Sequence, residues 1–270
     1  MNQLHIVMFG VVPYIAAAIF VVGHVWRYRY DKFGWTTRSS EVYEKRLLRI
    51  GSPLFHFGIL MVAGGHVVGL LVPREWLSAI GIDEHAYHLG AMVLGTIAAV
   101  MTLSGLVILV YRRRTTRSVF LATTVSDKVM FVVLGATLLF GTAATVLVQI
   151  FGGGYEYRGT ISPWFRSLIV FQPDIELMSQ VPGMFTAHIM SAMVLFAMWP
   201  FTRLVHVWSA PIGYLVRPYV VYRSRDPRRD PAARPSRPGW VPAGLPAPTR
   251  AESGRTGTGR TGPTGPSRRP

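Results

Sequence analysis

The sequence predicts an all-α integral membrane protein with five transmembrane helices, its N-terminus outside and its C-terminus in the cytoplasm. Three observations carry this reading. Half of the 270 residues are hydrophobic, and only 15% are charged. Five apolar runs each approach the roughly 20 residues that a helix needs to cross a bilayer. The segments between them alternate in charge, with Lys and Arg gathered on one side. A soluble domain of this length would carry more charge, spread more evenly. Mean hydropathy is +0.33 although the formal net charge is +15, the balance of apolar spans with basic flanks.

The runs lie at about 4–25, 52–72, 89–111, 127–150 and 184–208. The first opens with MNQLHIVMFG and has no Lys or Arg ahead of its apolar stretch. It therefore reads as a retained span and not as a cleavable signal peptide. The segment 26–51 after it holds Arg27, Arg29, Lys32, Arg38, Lys45, Arg46 and Arg49. Between the second and third runs the only basic side chain is Arg74. The segment 112–126 brings back Arg112, Arg113, Arg114 and Arg117, whereas 151–183 has only Arg158 and Arg166. Arg217 and Arg223 follow the fifth run. The positive-inside rule then sets the orientation, and an odd number of spans agrees with it. In 151–183, SPWFRSLIVF predicts a short interfacial helix with Trp164 in the aromatic belt.

The five-span domain covers 1–223. The tail 224–270 is rich in Pro, Arg, Gly, Ser and Thr, with ten Arg against Asp226, Asp230 and Glu252. Such a segment cannot bury a core and reads as disordered, its charge available to anionic membrane lipid. The basic excess is thus assigned to the membrane and its partners, not to nucleic acid. Cysteine is absent, which excludes disulfides, thiolate-held iron–sulfur clusters and covalently attached c-type haem in this chain.

Of eight histidines, four lie in the second and fifth runs. With the orientation above, His66 and His188 each sit about 6–9 Å below the outer edge of the bilayer. His56 and His206 each sit about 3–6 Å from the inner edge by the same arithmetic. They form two pairs, level in depth, on antiparallel helices. His188 and His206 are 18 residues apart, about five whole turns, and so share a face. His56 and His66 are about 80° off a common face, a mismatch that tilt, glycines and a kink at Pro200 can absorb.

Neutral imidazole binds iron without bringing net charge into lipid, and two axial histidines at one depth suit a b-type haem. Gly58, Gly64, Gly65 and Gly69 are small enough to let a flat macrocycle approach the helix. Two haem b groups follow, one per level. Zinc is disfavoured, because two ligands per level fall short of its usual three or four. The competing reading is histidines that only hydrogen-bond between helices. His5 and His24, at the ends of the first run, read as interfacial polar residues. His85 and His88, in DEHAYH just before the third run, are placed to exchange a proton at an outer quinol pocket.

GWTTRSSE, LFHFGILMVAGGHVVG, EHAYH and WPFTRLVHVWSAP together resemble the gamma subunit of membrane-bound respiratory nitrate reductase. The resemblance covers nearly all of 1–223 and leaves the tail aside. It implies a dihaem cytochrome b in the bacterial cytoplasmic membrane. His66 and His188 would bind the distal, outer haem iron, and His56 and His206 the proximal, inner one. Menaquinol or ubiquinol would be oxidised near the outer haem. Electrons would pass inward to an iron–sulfur beta subunit and then to a molybdenum alpha subunit that reduces nitrate to nitrite. Some members carry a lysine at the quinol site, in the segment before the third span. That segment has no Lys here, which leaves His85 and His88, with Gly65, as the candidate quinol residues.

Two other functions compete. One is a dihaem quinone-interacting subunit of a sulfite-reduction or heterodisulfide-type complex. The other is a haem-free membrane anchor or transporter; no repeat or pair of broken spans supports transport.

Overall fold

The computed structural model describes residues 3–31 and 40–208, and every regular element among them is helical. In chain order these are α1 (Gln3–Tyr30), α2 (Arg46–Leu71), α3 (Arg74–Ala79), α4 (Glu84–Thr115), α5 (Arg117–Leu121), α6 (Val125–Ile150), α7 (Ile161–Ile169) and α8 (Gly183–Phe201). Five of them, α1, α2, α4, α6 and α8, are long and apolar enough to cross a membrane. They match the five expected runs in place. The tail 224–270, most of GWTTRSSE and the segment from Ser209 onward lie outside the described residues.

Close packing of α2 on α4 depends on missing side chains. A Cβ at Gly58 would come within 2.5 Å of Thr102 Oγ1, and one at Gly105 within 2.5 Å of the Phe55 backbone nitrogen. Glycines let helix backbones meet directly where lipid provides no hydrophobic drive for association. Gly58 therefore serves helix packing and not the approach of a macrocycle. Leu106 of α4, Met130, Leu134 and Leu138 of α6 and Leu195 of α8 form one buried cluster. A second, at the other end, gathers Phe9, Ile161, Trp164, Leu168 and Met178.

Three expectations need correction. First, α4 begins at Glu84, not near 89, because Asp83 caps it by accepting a hydrogen bond from the Ala86 amide at 2.7 Å. His85 thus stands in the first helical turn and His88 at the start of the second. The helix also continues through Arg112, whose side chain is 1% exposed and clasps Glu44 and Ser40. Second, Trp164 is not a belt residue. It is 1% exposed, and its Nε1–H donates to the Phe9 carbonyl at 3.1 Å.

Third, the fifth run is not one helix to 208. Its α-helical part ends at Met198, a 3-10 turn spans Trp199–Phe201, Thr202 is extended, and a separate 3-10 turn spans Arg203–Val207. Pro200 cannot donate to the helical ladder, and its ring crowds the preceding turn. The carbonyls freed there are met from elsewhere: Arg27 Nη1 donates to Pro200 O at 2.5 Å and to Thr202 O at 3.3 Å, and Ser126 Oγ donates to Phe201 O at 3.0 Å.

Candidate functional site

The four histidines meet in the two expected pairs. His66 and His188 have ring centres 5.8 Å apart, and His56 and His206 have theirs 6.0 Å apart. His56, His66 and His188 project from spanning helices. His206 projects from the 3-10 turn beyond the Thr202 break, so the five-turn spacing from His188 does not describe its position. The pairing survives because that turn is anchored on its own. Trp199 Nε1 donates to Leu204 O at 3.0 Å, and Arg203 lies 3.8 Å from Asp127.

Every imidazole uses its Nδ1 on a backbone carbonyl. His56 bonds Ser52 O at 2.7 Å, His66 bonds Val62 O at 2.8 Å, His188 bonds Thr137 O at 2.9 Å and His206 bonds Arg203 O at 2.7 Å. A carbonyl can only accept, so Nδ1 carries the proton and Nε2 keeps its lone pair. That tautomer is the one in which Nε2 binds metal, and the carbonyl partner raises ligand basicity. The pair spacing also fits. Two imidazole nitrogens each about 2 Å from one metal put the ring centres roughly 6 Å apart.

Ligand count separates the possible metals. Among the described residues, the only cluster of three or more metal-capable side chains is Glu84, His88 and Glu156. Each histidine pair therefore offers two imidazoles and no third His, Cys, Asp or Glu ligand among the described residues. This is short of a zinc site and sufficient for bis-histidine haem. The face of α2 at Gly64 and Gly65 is open, since an added Cβ there would meet nothing within 4 Å. The other glycines of α2 do different work. Gly69 admits Tyr87, whose hydroxyl would lie 3.1 Å from a Cβ there. The sequence reading missed Gly141 of α6, whose bare backbone makes space for the His188 ring: a Cβ would lie 2.8 Å from its Cε1.

Beyond His66, α2 ends in a wide turn over Val67–Leu71, and its last carbonyls need partners. Ser162 Oγ donates to Gly69 O at 2.7 Å, Arg166 to Leu70 O at 3.1 Å and Arg158 to Val72 O at 3.1 Å. Arg158, only 3% exposed, also pairs with Glu84 at 3.4 Å and lies 4.1 Å above the centre of the Tyr87 ring. The hydroxyls of Tyr87 and Tyr157 are 2.7 Å apart. Burial, then the bond to Tyr87, pushes the Tyr157 phenol well above its ordinary pKa, so it stays protonated. His88 lies at the edge of this group, its ring 6.3 Å from that of Tyr157, whereas His85 is exposed. Residue spacing could not bring Glu84 and Arg158 together, since they lie on different elements far apart in the chain. His5 stacks edge-on to Phe9, and His24 packs on Phe20.

Fold and site together define a multi-pass helical membrane protein with two levels of paired, metal-ready histidines. The model of the nitrate reductase gamma subunit family matches residues 5–225, and the chain belongs to that family. It is 47% identical over 219 residues to the nitrate reductase gamma chain of Bacillus subtilis (strain 168), covering 81% of this chain and 98% of that one. It is 36% identical over 225 residues to the respiratory nitrate reductase 2 gamma chain of Escherichia coli (strain K12), covering 83% and 99%. It is 56% identical over 231 residues to the nitrate reductase-like protein NarX of Mycobacterium tuberculosis (strain ATCC 25618 / H37Rv). That match takes in 85% of this chain but only 35% of NarX, so the chain spans about a third of that relative's length.

Proposed function

We propose that this chain is the dihaem cytochrome b subunit of a respiratory nitrate reductase in the bacterial cytoplasmic membrane. His66 and His188 hold the outer haem b, and His56 and His206 the inner one. A bis-imidazole haem supplies one-electron redox change with no open position at the iron. The protein's part is to fix four Nε2 lone pairs at two depths through Nδ1 bonds to the carbonyls of Ser52, Val62, Thr137 and Arg203. Quinol, as menaquinol or ubiquinol, is oxidised on the outer side near His66, with His88, His85 and Gly65 at its pocket. Protons released there stay outside while electrons leave toward the cytoplasm. The membrane is charged by that separation alone, without a proton wire. The electrons serve an iron–sulfur beta subunit and a molybdenum alpha subunit that reduces nitrate to nitrite.

The observation that carries this reading is the pair of ring spacings, 5.8 and 6.0 Å, with Nδ1 committed to a carbonyl in all four rings. The test is to add quinol to the complex assembled with its partner subunits. A b-type absorbance that is reduced by quinol and reoxidised by nitrate supports the reading. An assembled complex with no such absorbance contradicts it and leaves a membrane anchor.

A further inference from the structure

We propose that Glu84 and Glu156, together with His88, are the bases that take the protons given up by quinol and hand them to the outer water. The inference rests on the proposed oxidation of quinol near His66. That oxidation breaks two O–H bonds. A haem held by His66 and His188 would take the two electrons one at a time, ferric iron becoming ferrous, and the two protons need acceptors.

The acceptors are grouped one helical step from His66. Gly69, three residues further along α2, is covered by Tyr87 and Tyr157, whose hydroxyls form a hydrogen-bonded pair. Behind that pair, the ligand atoms of Glu84, His88 and Glu156 all lie within 4.8 Å of one another. Glu84 Oε1 is closed off from solvent and accepts no hydrogen bond, so it holds a lone pair with nothing to do in the resting protein. At the other edge the group reaches water: the Glu84 side chain is 36% exposed and that of Glu156 is 48% exposed. The cluster thus runs from a half-buried hydroxyl pair to the surface.

Each carboxylate is held by an arginine of another segment. Arg158 faces Glu84 at 3.4 Å from the 151–183 segment, and Arg74 of α3 faces Glu156 at 2.6 Å. These contacts hold both carboxylates in place and leave Glu84 Oε1 open as an acceptor. Arg166 of α7 is turned away to Leu70 O. The competing role is mechanical, a set of ion pairs tying the start of α4 to the 151–183 segment. Glutamine separates the two roles, since it keeps shape and hydrogen bonding to arginine but has no useful proton affinity.

The experiment uses the haem-loaded complex with Glu84→Gln, Glu156→Gln and both. Two readouts are taken: quinol-driven turnover against pH, and the equilibrium affinity of a redox-inactive hydroxyl-bearing quinol analogue against pH. In the double variant the account expects kcat to fall roughly tenfold or more with KM nearly unchanged. It also expects the pH dependence of analogue affinity to flatten, while dithionite-reduced haem absorbance stays as in the wild type. Glu84→Asp, which keeps the base, should recover most of the turnover; should Glu84→Gln fail to assemble, Glu156→Gln alone carries the test. Wild-type kcat and wild-type pH dependence in the double variant would overturn the proposal alone. A wild-type complex whose haem is not reduced by quinol overturns the proposed function, and this proposal with it.

Discussion

His66 of α2 and His188 of α8 face each other with ring centres 5.8 Å apart, and each gives its Nδ1–H to a carbonyl. The carbonyls differ in kind. Val62 lies one turn back on the same helix, so α2 orients His66 by itself. Thr137 lies on α6, so a third helix orients His188. The His66–His188 level is therefore sensitive to the fit of α6 against α8.

Gly141 is where that fit is tightest. In Gly141→Ala the new methyl would lie 2.8 Å from His188 Cε1 and 3.0 Å from Nδ1, so the ring must move and the bond to Thr137 O is strained or lost. A cost of about 1–3 kcal/mol is expected from overpacking. The outer haem should be lost or shifted in potential while the inner one stays, as read by redox titration of the visible bands.

Gly65 provides the converse. Nothing lies within 4 Å of a Cβ there, so Gly65→Leu starts its side chain into open space. Thermal unfolding of the haem-free chain should change by less than about 1 kcal/mol. Haem content should fall nonetheless, because the side chain fills the space reserved for the macrocycle. Unchanged haem content in this variant would count against a haem on that face of α2.

The His56–His206 level depends on Arg27. Its guanidinium donates to the carbonyls of Pro200 and Thr202, at the break that sets the His206 turn apart from α8. Arg27→Ala should cost about 1.5–3 kcal/mol, the usual range for a charged hydrogen bond. The inner haem should broaden or drop out while the outer one is retained, which low-temperature electron paramagnetic resonance would resolve. Arg27→Lys should restore only part, since both bonds come from the terminal nitrogen Nη1 and the lysine side chain ends one atom short of it.

Acid should loosen the clasp between Glu44 and Arg112. Partial desolvation pushes the Glu44 carboxyl up, but the Leu47 amide and then Arg112 outweigh it, and its pKa lies below the ordinary 4.5. A depressed folded-state value means that the contribution is complete above the unfolded value and is lost as pH falls through the folded one. The segment 40–45 should therefore become protease-sensitive only below about pH 4.5. Glu44→Gln should remove that pH dependence.

Much of this was legible in the sequence, and the reasons are physical. Lipid demands long apolar helices, so the five spans stand out by length alone. Depth in the membrane follows from counting residues, which is why His66 pairs with His188 and His56 with His206 on paper as well as in space. The counting fails where the helix does: Pro200 and Thr202 break α8, and His206 reaches its partner from a separate turn. The start of α4 carried a readable sign, Asp83 as cap, that hydropathy overrode. Trp164 looked interfacial because its neighbours are amphipathic, yet its indole N–H found the Phe9 carbonyl of another helix. Glu84, Glu156 and Arg158 were invisible for the same reason, being joined only by tertiary contact.

The most direct test of the central claim counts haem in the assembled complex, by pyridine haemochrome, for the wild type, His56→Ala and His66→Ala. The account predicts two b haems in the wild type and one in each variant, with the two survivors differing in potential. A wild-type chain holding one haem or none, or two variants that lose the same haem, would contradict it.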